Sequence, residues 1–126
     1  MFRDGASEYK AKAETVRNAE IYRNAYAMGI CPTEGLESPT EIGAQAANEL
    51  LGINGIKASF VATEYNGKIY ISARSIDEVN VQIIMERLGG GGHMNIAGAQ
   101  LEDVTPERAI AIIKETVSKM LGEGAI

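Results

Sequence analysis

The chain has 126 residues, 45% apolar and 23% charged, the make-up of one globular domain large enough to hold a core. Its formal net charge is -5 with no Lys/Arg cluster, which excludes a surface that tracks long duplex nucleic acid, since phosphate neutralisation supplies most of that affinity. A single Cys rules out an internal disulfide, and with a single His and scattered carboxylates a complete two-metal hydrolytic centre is hard to build from this chain.

No stretch approaches the roughly 20 apolar residues that span a bilayer. The opening Met1-Phe2-Arg3-Asp4-Gly5 lacks the apolar region of a signal peptide. Together with the reduced state expected of Cys31, this reads as a cytoplasmic protein, or a cytoplasmic piece of a larger one, with no membrane contact of its own.

In chain order, Ser7 to Ala19 is polar, Ala-rich and helix-prone, with a thin apolar face of Tyr9, Ala13 and Val16. It reads as a solvated leader or as a helix separated from its partner. Ile21 to Cys31 turns aromatic and apolar and predicts one strand, ended by Pro32. Ser38-Pro39-Thr40-Glu41 predicts a helix start in which Ser38 caps, Pro39 takes the first position and Glu41 completes a capping box. Ile42, Ala46, Ala47, Leu50 and Leu51 share its apolar face, and Gly52 stops it.

Ile56–Glu64 and Lys68–Ser75 predict antiparallel strands around Tyr65-Asn66-Gly67, because Asn and Gly both tolerate positive φ. Asp77–Leu88 predicts a helix with Val81, Ile84, Met85 and Leu88 on one face. Four glycines follow, Gly89 to Gly92, then His93 and a run of small residues. Gln100–Val104 predicts a short last strand. Thr105-Pro106 opens a final helix with Ala109, Ile110, Ile113, Val117 and Leu121 inward and Gly122 as its stop. The sum is an α/β (α+β) domain: a single mixed β-sheet flanked by helices. Residues 1–20 are read as a leader helix left from an interdomain connection, and 21–126 as the domain proper.

The glycine run is where chemistry is expected. Consecutive glycines cost backbone entropy, so a folded domain keeps them where side chains would obstruct something. A run entering a helix start can aim several N–H groups and the helix dipole at one phosphate oxygen. On that reading Gly90, Gly91 and Gly92 supply the amides and His93 a hydrogen bond or a stacking surface. The alternative is a flexible loop with a surface His. Arg74, at the end of the second hairpin strand, can clamp a phosphate in a bidentate pair, with Ser75 adding a hydroxyl; the alternative for Arg74 is a surface ion pair. Asn80 either reads a base edge or caps the following helix. Ser72 shares the strand face of Arg74, and Tyr65 and Tyr70 can stack on a base or simply pack.

Ile-Ser-Ala-Arg-Ser at 71–75, Asn-Val at 80–81, Leu-Gly-Gly-Gly-Gly-His at 88–93 and Ala-Gly-Ala at 97–99 together resemble the DHHA1 domain, the C-terminal module of DHH phosphoesterases. The likeness runs from about Ala19 to the end. Asn80–Leu88 and Gln100 are most similar to the branch of membrane-anchored cyclic di-AMP phosphodiesterases. The resemblance implies a division of labour. An upstream DHH domain would bind manganese and activate water, while this domain would hold the nucleotide through Gly90, Gly91, Gly92, His93 and Arg74, with Ser75 and Asn80 nearby. No Asp-His-His triplet occurs here, so Met1 is read as a start inside a longer protein and the chain alone as inactive, with no cofactor of its own. Ile96 departs from the small Ala common in the family, which implies altered packing behind the loop.

Three functions follow as expectations. The first is the substrate-binding domain of a phosphodiesterase hydrolysing cyclic di-AMP to pApA, partnered by the DHH domain of the same protein. The second is recognition of short oligoribonucleotide ends. The third is a regulatory or assembly domain, dimerising through the leader helix or a sheet edge.

Overall fold

The structure, a computed structural model, describes residues 5–126; the readings made of Met1 to Asp4 lie outside the described residues. Four helices and six strands form one mixed sheet in the order β1-β2-β3-β4-β6-β5. β1 (Glu20–Tyr22) and β2 (Tyr26–Cys31) are antiparallel, and β2 runs parallel to β3 (Ala58–Tyr65) through the crossover helix α2 (Pro39–Leu50). β4 (Lys68–Ser75) pairs antiparallel with β3 and with β6 (Ile96–Leu101), and a two-residue strand, β5 (Gly91–Gly92), closes the far edge. This is the predicted class of architecture. Among the described residues no helix is long and apolar enough to cross a membrane.

Two cores sandwich the sheet. On one face α3 (Val81–Arg87) and α4 (Pro106–Glu123) bury Val81, Ile84, Met85, Ile113 and Val117 against Met28, Phe60, Ile69 and Ile71. On the other, α2 buries Ile42, Ala46, Ala47 and Leu50 against Ala27, Cys31 and Val61. At roughly 1.5–3 kcal/mol for each fully buried large aliphatic side chain, these faces dominate the stability.

Several local expectations are corrected. The single strand expected at 21–31 is a hairpin: Arg23 and Asn24 take φ of 52° and 62°, and the Ala25 N–H returns to the Tyr22 carbonyl. Two consecutive left-handed residues make a tight turn that needs no glycine when Asn supplies one of them. The leader helix α1 (Ala6–Arg17) is not solvated. It packs on α2 and β2 through Ala11 and Thr15, while Tyr9 is 67% exposed. Ser38 stands at the N-cap of α2 without a side-chain cap bond, so the capping box does not form. α3 begins at Val81 rather than Asp77, because Asp77 has φ 55°. α4 runs through Gly122 and stops at Gly124 (φ 73°). β6 starts at Ile96, four residues earlier than expected, since Ala97 and Ala99 bury into the core on alternate positions.

Candidate functional site

α2 covers β2 and β3 and reaches β4, but β6 and β5 lie beyond it, so that part of the sheet face is bare. Register fixes what the bare strip presents. Arg74 stands opposite Ile96, Ser72 opposite Gly98 and Tyr70 opposite Gln100. Gly91 lies opposite Gly98 on the outer edge. Alternation along the strands puts all of these on one face. The strip deepens into a cleft of about 710 Å³, within the size range of small-ligand sites, lined by Thr40, Tyr70, Ser72, Gly90, Gly98 and Gln100.

The glycine run ends one helix and opens none. Gly89 has φ 84°, its N–H bonds the Glu86 carbonyl, and the Gly90 N–H bonds the Met85 carbonyl at 2.8 Å. That is a Schellman C-cap. The expectation of a helix N-terminus aimed at an anion is therefore corrected: the nearer end of α3 carries the negative pole of its dipole, so positive charge has to come from side chains. Gly90 and Gly92 are small because β6 is close. A Cβ on Gly90 would run into the Gly98 carbonyl, and one on Gly92 would lie 2.6 Å from Ala97 Cα. Gly91 differs, since a Cβ there would have nothing within 4 Å.

Arg74 is half-buried and donates from Nη1 to the Ala73 carbonyl at 2.9 Å. No acidic side chain among the described residues pairs with it, so the surface ion pair considered for it is not formed. Burial lowers its pKa from the ordinary arginine value, though a guanidinium stays charged at neutral pH. His93 is exposed. Its backbone N–H closes the turn on the Ile96 carbonyl at 2.7 Å, and its imidazole bonds nothing among the described residues.

Two other candidates sit elsewhere. Ser75 is buried on the opposite face, where its hydroxyl donates to the Val79 carbonyl at 2.6 Å and accepts from Asn95 Nδ2 at 3.0 Å. Asn80 caps α3, accepting from the Ile83 N–H at 3.3 Å. The fold thus brings Arg74, Gly90 and Gly91 to one bare face, with His93 at its rim, and gives Ser75 and Asn80 structural work. Ile96 does not pack behind the loop; it is 56% exposed on the bare face beside Arg74. Asn95, which ties the turn after His93 to β4, carried no sequence signal, because its partners are fixed only by the pairing of β4 with β6. Tyr65 and Tyr70 pack on each other with ring centroids 6.2 Å apart. Among the described residues no group of three or more His, Cys, Asp or Glu is arranged to hold a metal ion.

A mixed sheet with helices on both faces, and a Gly-His corner beside an arginine that no carboxylate pairs among the described residues, defines an α/β module. Residues 28–123 match the DHHA1 domain, and the chain belongs to that family. It is 42% identical over 106 residues to the cyclic-di-AMP phosphodiesterase PdeA of Listeria monocytogenes serotype 1/2a (strain 10403S), covering 83% of this chain and 16% of that protein. It is 40% identical over 121 residues to the cyclic-di-AMP phosphodiesterase GdpP of Geobacillus thermodenitrificans (strain NG80-2), covering 93% of this chain and 18% of the relative. The chain therefore spans less than a fifth of either of these curated relatives. The fold is also that of an exopolyphosphatase-related protein from Bacteroides fragilis, with a TM-score of 0.81 at 21% identity over 94% of this chain and 36% of the other.

Proposed function

We propose that this chain is the substrate-holding domain of a DHH-type phosphodiesterase that converts cyclic di-AMP to pApA. Arg74 takes a phosphate, and the substrate backbone passes over Gly91. One observation carries this reading: a half-buried guanidinium that no carboxylate pairs among the described residues shares a bare sheet face with an edge residue that has open space where a side chain would be. The activities named for the relatives supply the reaction class.

Manganese in an upstream DHH domain is expected to activate the water in the longer protein. The work of this chain is to bind, to orient the phosphodiester for in-line attack, and to neutralise developing charge through Arg74. His93, exposed at the rim, donates a hydrogen bond to the same phosphate or to a sugar hydroxyl.

The test is a titration of the isotopically labelled chain with cyclic di-AMP, pApA and a ten-nucleotide oligoadenylate, following backbone amides. Shifts centred on Arg74, Gly91, Gly98 and His93 with the two dinucleotides are expected. Shifts that spare this strip overturn the reading, and tighter binding of the longer oligonucleotide would favour recognition of RNA ends.

A further inference from the structure

The bare strip has two ends of different chemistry, and they need different parts of a ligand. At one end stands Arg74. Four residues away along β4, roughly 13 Å at the usual strand rise, Tyr70 stands directly opposite Gln100. Both line the cleft. The Gln100 side chain is exposed and makes no hydrogen bond to the described residues, so its carbonyl and amide are both unspent. Tyr65 packs against Tyr70, with the two rings tilted at 57° to one another.

Charge decides which end takes the phosphate. Glu102 also lines the cleft at the Tyr70 end and is engaged by Lys68 at 3.6 Å. The Lys68–Glu102 pair is neutral in sum, so that end lacks the uncompensated positive charge of Arg74 and tolerates a neutral heterocycle. Between the two ends the floor is Ser72 and Gly98. Gly98 keeps the floor flat, since a Cβ on it would lie 2.8 Å from the Ile71 carbonyl. That stretch has room for a sugar and a phosphodiester.

We infer that the Tyr70–Gln100 pair is a nucleobase subsite specific for adenine. The Tyr70 ring supplies the stacking face, and the Gln100 amide reads the base edge, its carbonyl accepting from N6–H and its NH₂ donating to N7. A planar amide matches that donor–acceptor pair in adenine and mismatches guanine, which presents two acceptors, O6 and N7, along the same edge. Stacking on an aromatic ring adds affinity for any base. This inference rests on the phosphate reading of Arg74 and Gly91, and the experiment separates the two.

The affinity of the chain is measured for pApA and for the same dinucleotide carrying 7-deaza-adenine, which lacks the N7 acceptor. The native protein is expected to bind the deaza probe about threefold to tenfold more weakly, the scale of one hydrogen bond of a bidentate base contact. Gln100→Ala, which removes both bonds, lowers pApA binding at least to that level and no longer distinguishes the probes. Gln100 is exposed, so the variant keeps its fold. Tyr70→Leu weakens both probes alike. Equal binding of the probes by the native protein, or discrimination that survives in Gln100→Ala, overturns the subsite. Gly91→Val is the separate control. If it abolishes pApA binding while the deaza probe is never distinguished, the phosphate reading stands and the base subsite falls. If Gly91→Val binds pApA like the native protein, both fall.

Discussion

Asn95 donates its Nδ2 to the Ser75 hydroxyl at 3.0 Å and to the Asp77 carbonyl at 3.2 Å, tying the turn after the glycine run to the end of β4. The same two residues share a backbone bond, Ser75 N–H to the Asn95 carbonyl at 3.0 Å. Arg74 and His93 are each one or two positions from this latch, so their relative placement depends on it.

Asn95→Ala removes the amide that serves the partly buried Ser75 hydroxyl and Val79 carbonyl, and is expected to destabilise the fold by about 1–2 kcal/mol. Urea unfolding of the variant checks the figure. Ser75→Ala leaves the Val79 carbonyl without its 2.6 Å donor and is expected to cost about 1 kcal/mol. Because the two share one network, the double variant should lose less than the sum.

The glycines separate into structural and open positions. Gly90→Ala forces a Cβ onto the Gly98 carbonyl and the Ala99 backbone, and a loss of about 1–3 kcal/mol is expected. Gly91→Ala meets nothing within 4 Å and is expected to unfold at the native midpoint within about 0.5 kcal/mol, while binding nucleotide more weakly. Paired denaturation and binding measurements check both. Equal stability losses at 90 and 91 would contradict the geometry.

Arg74→Lys keeps the charge but gives up the planar fork, so pApA binding is expected to fall about fivefold to tenfold, with a further fall in Arg74→Ala. Titration calorimetry of the three proteins checks the order. A lysine variant that binds as well as the native protein would mean that only charge is used.

Cys31 is 3% exposed, and burial pushes its thiol pKa up. Labelling by a thiol reagent is therefore expected to follow global unfolding, rising with urea in step with loss of helical circular dichroism. The linkage has a sign. A raised native pKa means the unfolded chain loses the proton first. The Cys31 contribution is thus present below the ordinary thiol range of about 8.5 and is lost as pH rises through it toward the raised native value. Burial raises Tyr26 as well, so the alkaline fall in stability should be reduced, not abolished, in Cys31→Ala.

Much of this protein follows from local pattern. Asn66-Gly67 set a two-residue hairpin at φ 51° and 77°, Thr105-Pro106 opened α4, and the apolar faces of α2 and α4 were legible because burial repeats with the helical period. The glycine–histidine corner and the arginine were legible too, since their residue types are unusual in sequence. Tertiary structure alone decided the rest. That the glycines cap α3 follows from local bonds of Gly89 and Gly90 to Glu86 and Met85, but which of them are pressed against β6 depended on its pairing with β5. The pairing of β4 with β6 turned Ser75 inward and Arg74 outward, though they are adjacent, because side chains on a strand alternate between two faces and only the packed helices determine which face is covered.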